Sequence, residues 1–210
     1  MLLAIDTSAG TSVAVVDRHR GILSEVNEAD TRRHTEVIGD AIRLAIRDSG
    51  VAIEQLTGVV AGMGPGPFTG LRVGIAAAQA FAFGAAKPLL RVVSHDALAM
   101  AHYLAGNAGP LLVVTDARRR EVYFSGYSGV DSAALPVRRL GPALCKPDDL
   151  LQAVENYSQY ERIDATQVFA ASAGLLAAAM LERERPFAGP DALYLRAPDA
   201  TLSAGPKRVS

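Results

Sequence analysis

The chain has 210 residues, of which 50% are hydrophobic and 20% charged, enough to bury a core in one large domain or two lobes. The formal net charge of −1 excludes a general attraction to nucleic acids, and a single cysteine excludes a disulfide framework. The N-terminus lacks the basic region of a signal peptide, and the apolar run over 73–86 is too short and too rich in alanine to span a bilayer. These features predict a soluble, cytoplasmic protein without membrane contact.

The first hundred residues predict one α/β lobe. The opening LLAID is a continuous apolar run, typical of a strand buried on both faces, and a polar turn separates it from a second strand. Apolar residues at helical spacing follow, and Gly50 stands where a glycine would end that helix. The predicted order is three strands, a helix, a strand and a helix, over 2–6, 12–17, 22–29, 34–49, 57–64 and 70–86.

The second half repeats this plan from residue 110, with an apolar strand, an aspartate, a polar turn and another strand. Asp6 and Asp116 occupy matching places at the ends of the two first strands. This recurrence predicts a duplicated fold with lobes at 1–100 and 101–210, although any two strands that end in aspartate look alike. Further helices are predicted at 94–106 (with Ser94 as N-cap), 147–156 and 171–184, and a strand at 165–171.

The stretch 62-GMGPGPFTGLRVG-74 raises the question of a phosphate-binding loop. A P-loop requires a lysine, but the first lysine of the chain is Lys87. The dinucleotide pattern also fails, because Pro67 stands at the place of its third glycine. The sequence favours a rigid corner, with Thr69 capping a helix from Gly70, over a weak anion site at the amides of 68–70. The residues assigned to this structural loop are Gly64, Pro65, Gly66, Phe68, Thr69 and Gly70.

The helix after this corner is apolar on nearly every side, broken only by Arg72 and Gln79. Such a helix must be buried on more than one face. One face can cover the sheet of its own lobe. The other face requires either a further internal layer, which would make it a core helix, or a partner surface shared with the helix at 34–49.

The sequence contains no strong catalytic constellation. The four histidines lack H-x-x-x-H and H-E-x-x-H spacing, and Cys145 alone cannot complete a metal site. His95 and His102 are expected at the surface or its boundary, seven residues apart on one helix. Asp6 and Asp116 could pair as carboxylates across a cleft, or serve as ordinary turn residues. The run 118–120, three arginines, either faces water or contacts a phosphate backbone.

Four segments together resemble the TsaB (YeaZ) family in their order and spacing. They are 5-IDTS-8, 64-GPGPFTGLRVG-74, 116-DARRREVY-123 and 190-PDALYLRAPD-199. The family most often has a serine where Pro67 stands here, and the region 127–169 matches least well. The resemblance implies an α/β fold of the ASKHA type (actin, Hsp70 and sugar kinases), with two duplicated lobes and mixed central sheets.

The resemblance also implies a function in making threonylcarbamoyladenosine, the tRNA modification beside the anticodon. The family member is a non-catalytic scaffold or activating subunit that binds the catalytic paralogue TsaD, whose H-x-x-x-H binds metal, and with it the ATPase TsaE. It reaches tRNA through that complex and pairs with itself when TsaD is absent. The resemblance implies no cofactor or metal of its own, with ATP or ADP shared at the complex interface.

By the same resemblance, the partner interface lies on the helices at 34–49 and 70–86. Its predicted residues are Val37, Ile38, Ala41, Ile42, Leu71, Gly74, Ile75, Ala77, Ala78 and Phe81. Asp6, Thr7 and Asp116 are assigned to a vestigial cleft. Three alternatives remain: a phosphotransferase or hydrolase acting at that cleft, an M22-like peptidase, and direct anchoring of tRNA by Arg118–Arg120.

Overall fold

The computed structural model describes residues 1–196. Its first sheet is formed by strands from the N-terminal half of the chain. Its strands are β1 Leu2–Asp6, β2 Thr11–Asp17, β3 Gly21–Glu28, β4 Gly58–Gly62 and β5 Leu89–Val92. Their order is β3-β2-β1-β4-β5, with β1 antiparallel to β2 and parallel to β4. Every residue of the central strand β1 is buried, which explains its continuous apolar sequence.

Helices cover both faces of this sheet. The helices of the protein are α1 His34–Ser49, α2 Phe68–Gly84, α3 Ser94–Leu104, α4 Leu150–Ala153 and α5 Ala170–Glu182. All of them except the short α4 pack against this sheet. On one face α1 and α2 pack against Leu3 and Ile5 of β1, and on the other α3 and α5 pack against Leu2 and Ala4. Successive side chains of a strand point to opposite faces, so β1 contributes to two cores.

The second sheet repeats the first. Its strands are β6 Leu111–Asp116, β7 Val122–Val130, β8 Pro136–Cys145 and β9 Glu161–Ala165, in the order β8-β7-β6-β9. The directions of these four strands match those of β3-β2-β1-β4, which confirms the predicted recurrence. The division of the chain near residue 100 stays a prediction, and α5 shows that the second half also covers the first sheet.

Two predicted elements are wrong in detail. The strand expected at 165–171 lies earlier, at β9, whose exposed edge carries alternating charged side chains instead of an apolar run. The helix expected at 147–156 reduces to α4 with a 3₁₀ turn on either side, because the backbone is already extended at Val154. Strands β5 and β8 were not predicted. Within residues 1–196 no helix combines the length and apolarity needed to cross a membrane.

Candidate functional site

The glycine-rich segment packs directly against the turn between β1 and β2. A β-carbon on Gly62 would lie 1.9 Å from Oδ2 of Asp6, and one on Gly74 would lie 2.1 Å from Oγ1 of Thr7. No side chain larger than hydrogen fits at either position without moving its neighbour. The glycines therefore allow the loop and α2 to contact the turn at backbone distance.

The side chain of Thr7 connects the β1–β2 turn to the N-terminal part of α2 by hydrogen bonds. Its hydroxyl donates to the carbonyl of Gly70 at 2.7 Å and accepts from the amide of Gly74 at 3.0 Å, and both contacts are buried. Thr7 thereby fixes where α2 starts and which way it points. The side chain assigned to a vestigial cleft is fully engaged within the fold.

Asp6 lies beneath the loop and is only 1% exposed. Its Oδ1 accepts the amide of Ser8 at 2.8 Å, and its Oδ2 accepts the hydroxyl of Ser94 at 2.6 Å. Burial raises the pKa of Asp6, and the hydrogen bonds from Ser8 and Ser94 offset part of that rise. Ser94 also accepts the amide of Gly64 at 3.0 Å. Its expected role as an N-cap is wrong, since Val93 holds that position and the Ser94 hydroxyl is committed to Asp6.

The corner differs from its prediction in where the helix starts and in how it is capped. Helix α2 begins at Phe68, with Pro67 in the N-cap position and no side-chain cap. Thr69 lies one residue inside the helix and is exposed, so its predicted capping role is wrong. The fixed φ of Pro67, −59°, sets the entry into the helix without a capping hydroxyl.

A cleft of about 560 Å³ lies between the β1–β2 turn and the equivalent β6–β7 turn. Asp116 lines this cleft whereas Asp6 does not, so the two carboxylates do not face each other across it. Each of the four carboxylates around the cleft forms an ion pair with an arginine, which compensates its charge locally. The pairs are Asp30–Arg32, Asp116–Arg118, Glu121–Arg196 and Asp164–Arg162.

The three arginines of the β6–β7 turn have a defined backbone shape. Arg118, Arg119 and Arg120 all adopt the left-handed conformation, with φ of 64°, 51° and 61°. Successive non-glycine residues in this region are strained, so the surrounding contacts must hold the turn in place. The guanidinium of Arg118 donates to the hydroxyl of Thr31 in the first lobe, and that of Arg196 donates to the carbonyl of Ala117 at 3.2 Å.

Helices α1 and α2 form the surface on which the partner interface was predicted. Half of the ten predicted residues belong to the core beneath these helices, and their side chains are not available to a partner. These buried residues are Ala41, Leu71, Gly74, Ile75 and Ala78. The other five are half-buried at the edge of that core: Val37, Ile38, Ile42, Ala77 and Phe81.

The ten residues predicted for the partner interface do not include those that α2 turns outward. Ala76, Ala80 and Phe83 are exposed, and the exposed fraction of Phe83 is 91%. Their spacing of four and three residues puts them on one side of the helix, together with the half-buried Val73 and Ala77. We call these five residues the α2 outer face. Their spacing was visible in the sequence, but a helix apolar all round gave no indication of which side faced the sheet.

Two buried histidines were wrongly expected near the surface. His95 is fully buried, and its ring nitrogens lie 2.8 Å from the hydroxyl of Ser125 and 2.9 Å from that of Thr115. Burial lowers the pKa of His95 to about 3, so the ring is neutral and links α3 to the second sheet. His102 is also buried. Among residues 1–196 no three side chains of His, Cys, Asp or Glu are grouped as a metal site would require.

Comparison with known proteins shows which family this chain is similar to. The family model described as "TsaD: tRNA N6-adenosine threonylcarbamoyltransferase" matches residues 11–200. An uncharacterized protein of Mycobacterium tuberculosis is 35% identical over 210 residues, which cover 95% of this chain and 93% of that relative. The tRNA threonylcarbamoyladenosine biosynthesis protein TsaB of Haemophilus influenzae is 40% identical over 125 residues, or 59% of this chain and 52% of that protein.

The chain belongs to the TsaB (YeaZ) family. A solved structure of YeaZ from Pseudomonas aeruginosa superposes with a TM-score of 0.73 at 23% identity, covering 87% of this chain and 92% of that one. That likeness and the two mixed sheets confirm the predicted α/β fold, and the matching strand orders of the two sheets confirm its duplication. The match to the TsaD model fits a TsaB-family chain that is a paralogue of TsaD.

Proposed function

We propose that this protein is the scaffold and activating subunit of the machinery that makes threonylcarbamoyladenosine in tRNA. In this proposal it binds a TsaD-like catalytic paralogue through α1 and α2, and a TsaE-like ATPase joins them. It works in the cytoplasm and meets tRNA through the complex. The observation that carries the proposal is the α2 outer face, with Phe83 91% exposed.

The α2 outer face has the chemistry of an interface centre. Burying one exposed phenylalanine is worth about 1.5–3 kcal/mol, so Phe83 can anchor a partner helix. Ala76 and Ala80 permit close approach of that helix because their side chains are small. On the neighbouring α1, exposed charges form the pairs Arg33–Glu36 and Arg43–Asp40. An apolar centre with a polar rim is the usual anatomy of a specific interface. On α2 itself the exposed Arg72 and Gln79, four residues from Ala76 and Phe83, belong to that rim.

The polar groups of the β1–β2 turn support a structural role over a catalytic one. Asp6, Thr7 and Ser8 direct their side chains to each other, to α2 and to Ser94. A general base or nucleophile must be able to reach a substrate, and a sealed carboxylate cannot. Together these contacts orient α2. The glycine-rich loop and the β1–β2 turn therefore determine how the α2 outer face is presented to a partner.

In the alternative, the protein is a phosphotransferase or hydrolase whose active site is the cleft of about 560 Å³ between the two turns. An M22-like peptidase would need a metal site as well. In the scaffold proposal, ATP or ADP belongs to the complex interface, and two copies of this chain pair through the α2 outer face when TsaD is absent. Titration of the isolated protein with ATP and Mg²⁺ distinguishes an enzyme from a scaffold. Binding of ATP with turnover supports an enzyme, and weak or absent binding supports a scaffold.

The docking proposal is tested by placing charge on the α2 outer face. We expect Ala80→Glu and Phe83→Asp to leave the lone protein folded and to abolish co-purification with its cognate TsaD. Ala153→Glu, at an exposed alanine of α4, is the matched control and should co-purify as the wild type does. Undiminished complex formation by both α2 variants would show that this face is not the contact.

A further inference from the structure

A second pocket lies at the N-terminal end of α2, next to the cleft between the lobes. Its volume is about 530 Å³, and some lining residues, Arg118 among them, also border the cleft. We call it the α2 entry pocket, and the lining residues that matter here are Arg32, His34, Thr69, Gly70 and Arg118. None of the described residues that line it is acidic.

The start of α2 offers free hydrogen-bond donors to this pocket. The helix has 17 residues and no side-chain cap, and its first internal bond runs from the amide of Leu71 to the carbonyl of Pro67. Within the described part of the chain, the amides of Phe68, Thr69 and Gly70 have no acceptor. Such amides carry the partial positive charge of a helix N-terminus, which attracts anions.

A buried histidine adds a side-chain donor at the same place. His34 is only 7% exposed, and its Nδ1 lies 2.7 Å from the hydroxyl of Thr11. Its Nε2 has no hydrogen-bond partner within residues 1–196. A β-carbon on Gly70 would lie 3.1 Å from Nε2, so this nitrogen lies directly beside the start of α2. In the tautomer in which the Thr11 hydroxyl donates to Nδ1, Nε2 carries the hydrogen and can donate to a ligand.

Two arginines bring positive charge to the pocket. The guanidinium of Arg118 donates to the hydroxyl of Thr31 and lies 3.5 Å from Oδ2 of Asp116, and Arg32 pairs with Asp30. Neither carboxylate lines the α2 entry pocket. The two arginine side chains are 54% and 88% exposed. Because a guanidinium has five N–H donors, each arginine keeps donors that a ligand in the pocket can use.

We propose that the α2 entry pocket binds a phosphate group. Its oxygens would accept hydrogen bonds from the free amides of Thr69 and Gly70 and from Nε2 of His34, and Arg118 would compensate its charge. A phosphate has enough oxygens to accept from backbone, imidazole and guanidinium donors at once. The volume of about 530 Å³ also leaves room for the organic part of a phosphate ester. This site goes beyond the docking function and does not depend on it.

Backbone amide NMR of the whole protein gives a direct readout at this site. We expect inorganic phosphate, added at constant ionic strength and pH 7, to shift the amide resonances of Thr69 and Gly70 in a saturable manner. The start of α5 is the matched control, because the amide of Ala170 already donates to the hydroxyl of Ser12 at 2.7 Å and should not shift. Ribose 5-phosphate distinguishes the source of the phosphate. Tighter binding than inorganic phosphate indicates an ester, and equal or weaker binding indicates free phosphate.

Removal of the side-chain donors provides the second arm. His34→Leu and Arg118→Leu should each weaken phosphate binding by about fivefold or more. His34→Gln, whose amide can replace the Nε2 donor, should bind more tightly than His34→Leu. Arg120→Leu is the control, because Arg120 belongs to the same turn but lines only the cleft, and it should bind as the wild type does.

The remaining amide resonances report whether each variant is folded. The proposal is overturned if phosphate causes no saturable shift of the Thr69 and Gly70 amides in the wild type, or if the Ala170 amide shifts equally. Unchanged phosphate binding in a folded His34→Leu or Arg118→Leu variant would also overturn it.

Discussion

Asp6 and Asp116 accept the same hydrogen bond at equivalent places of the two repeats. Oδ1 of each carboxylate accepts the backbone amide two residues further on, at 2.8 Å in both lobes. Their surroundings differ, because the glycine-rich loop and Ser94 cover Asp6 while Asp116 stays exposed at the cleft. The turn and its hydrogen bond are the same in both repeats, but the residues that cover the turn are different. In the first lobe the covered turn now positions α2.

The close contact between Gly74 and Thr7 predicts a large effect of one methyl group. Gly74→Ala would place its β-carbon 2.1 Å from the Thr7 hydroxyl, so we expect a loss of about 1–3 kcal/mol in the free energy of unfolding. Gly39→Ala is the control, since a β-carbon on this exposed glycine of α1 meets nothing within 4 Å. It should stabilise α1 by about 0.5–1 kcal/mol. Urea unfolding measures both, and equal effects of the two changes would contradict this packing.

The hydroxyl of Thr7 supplies a separate prediction. Thr7→Val keeps the volume but removes the hydroxyl that bonds both the carbonyl of Gly70 and the amide of Gly74, so two buried hydrogen bonds between the turn and α2 are lost. We expect a loss of about 1–3 kcal/mol in the free energy of unfolding. Thr69→Val, at an exposed position of the same helix, should change stability by less than about 0.5 kcal/mol. A Thr7 variant as stable as the wild type would show that these hydrogen bonds do not hold α2.

The buried ring of His95 predicts a pH dependence of stability. Its pKa is lowered from 6.5 to about 3 in the folded protein, so the unfolded chain binds the extra proton between these values. The contribution of His95 is therefore fully present above pH 6.5 and falls as pH decreases, by about 1.4 kcal/mol per pH unit. Burial raises the pKa values of Asp6 and Asp96, which acts in the opposite direction.

Comparison with a variant isolates the histidine. His95→Gln should remove this part of the pH dependence between pH 6.5 and 4, whereas His19→Gln at the surface should retain the wild-type profile. Denaturant unfolding at a series of pH values measures both. Parallel profiles for the wild type and His95→Gln would be inconsistent with a neutral, buried ring.

Local signals predicted the first half of the fold well. The run LLAID marked a doubly covered strand, and Gly50 ends α1 in the left-handed conformation with φ of 65°. Strand β9 was misplaced because its side chains Arg162 and Asp164 alternate outward on an exposed edge. A strand covered on one side offers no long apolar run for sequence reasoning to find.

The candidate site depended more strongly on tertiary contacts. The sequence showed that α2 is apolar all round, but only packing shows that Leu71 faces the core and Phe83 faces outward. His95 was assigned to the surface because its hydroxyl partners, Thr115 and Ser125, lie 20 and 30 residues away. Neither pairing has a local sequence signal.

Reconstitution of tRNA modification from purified components tests the central claim, that the protein acts by docking through α2. We expect threonylcarbamoyladenosine to form when this protein is combined with its cognate TsaD and TsaE, and not with this protein alone. Ala80→Glu should reduce the product to the level seen without this subunit, while Asp116→Asn at the cleft should leave it unchanged. Full activity with Ala80→Glu together with loss of activity with Asp116→Asn would contradict the account.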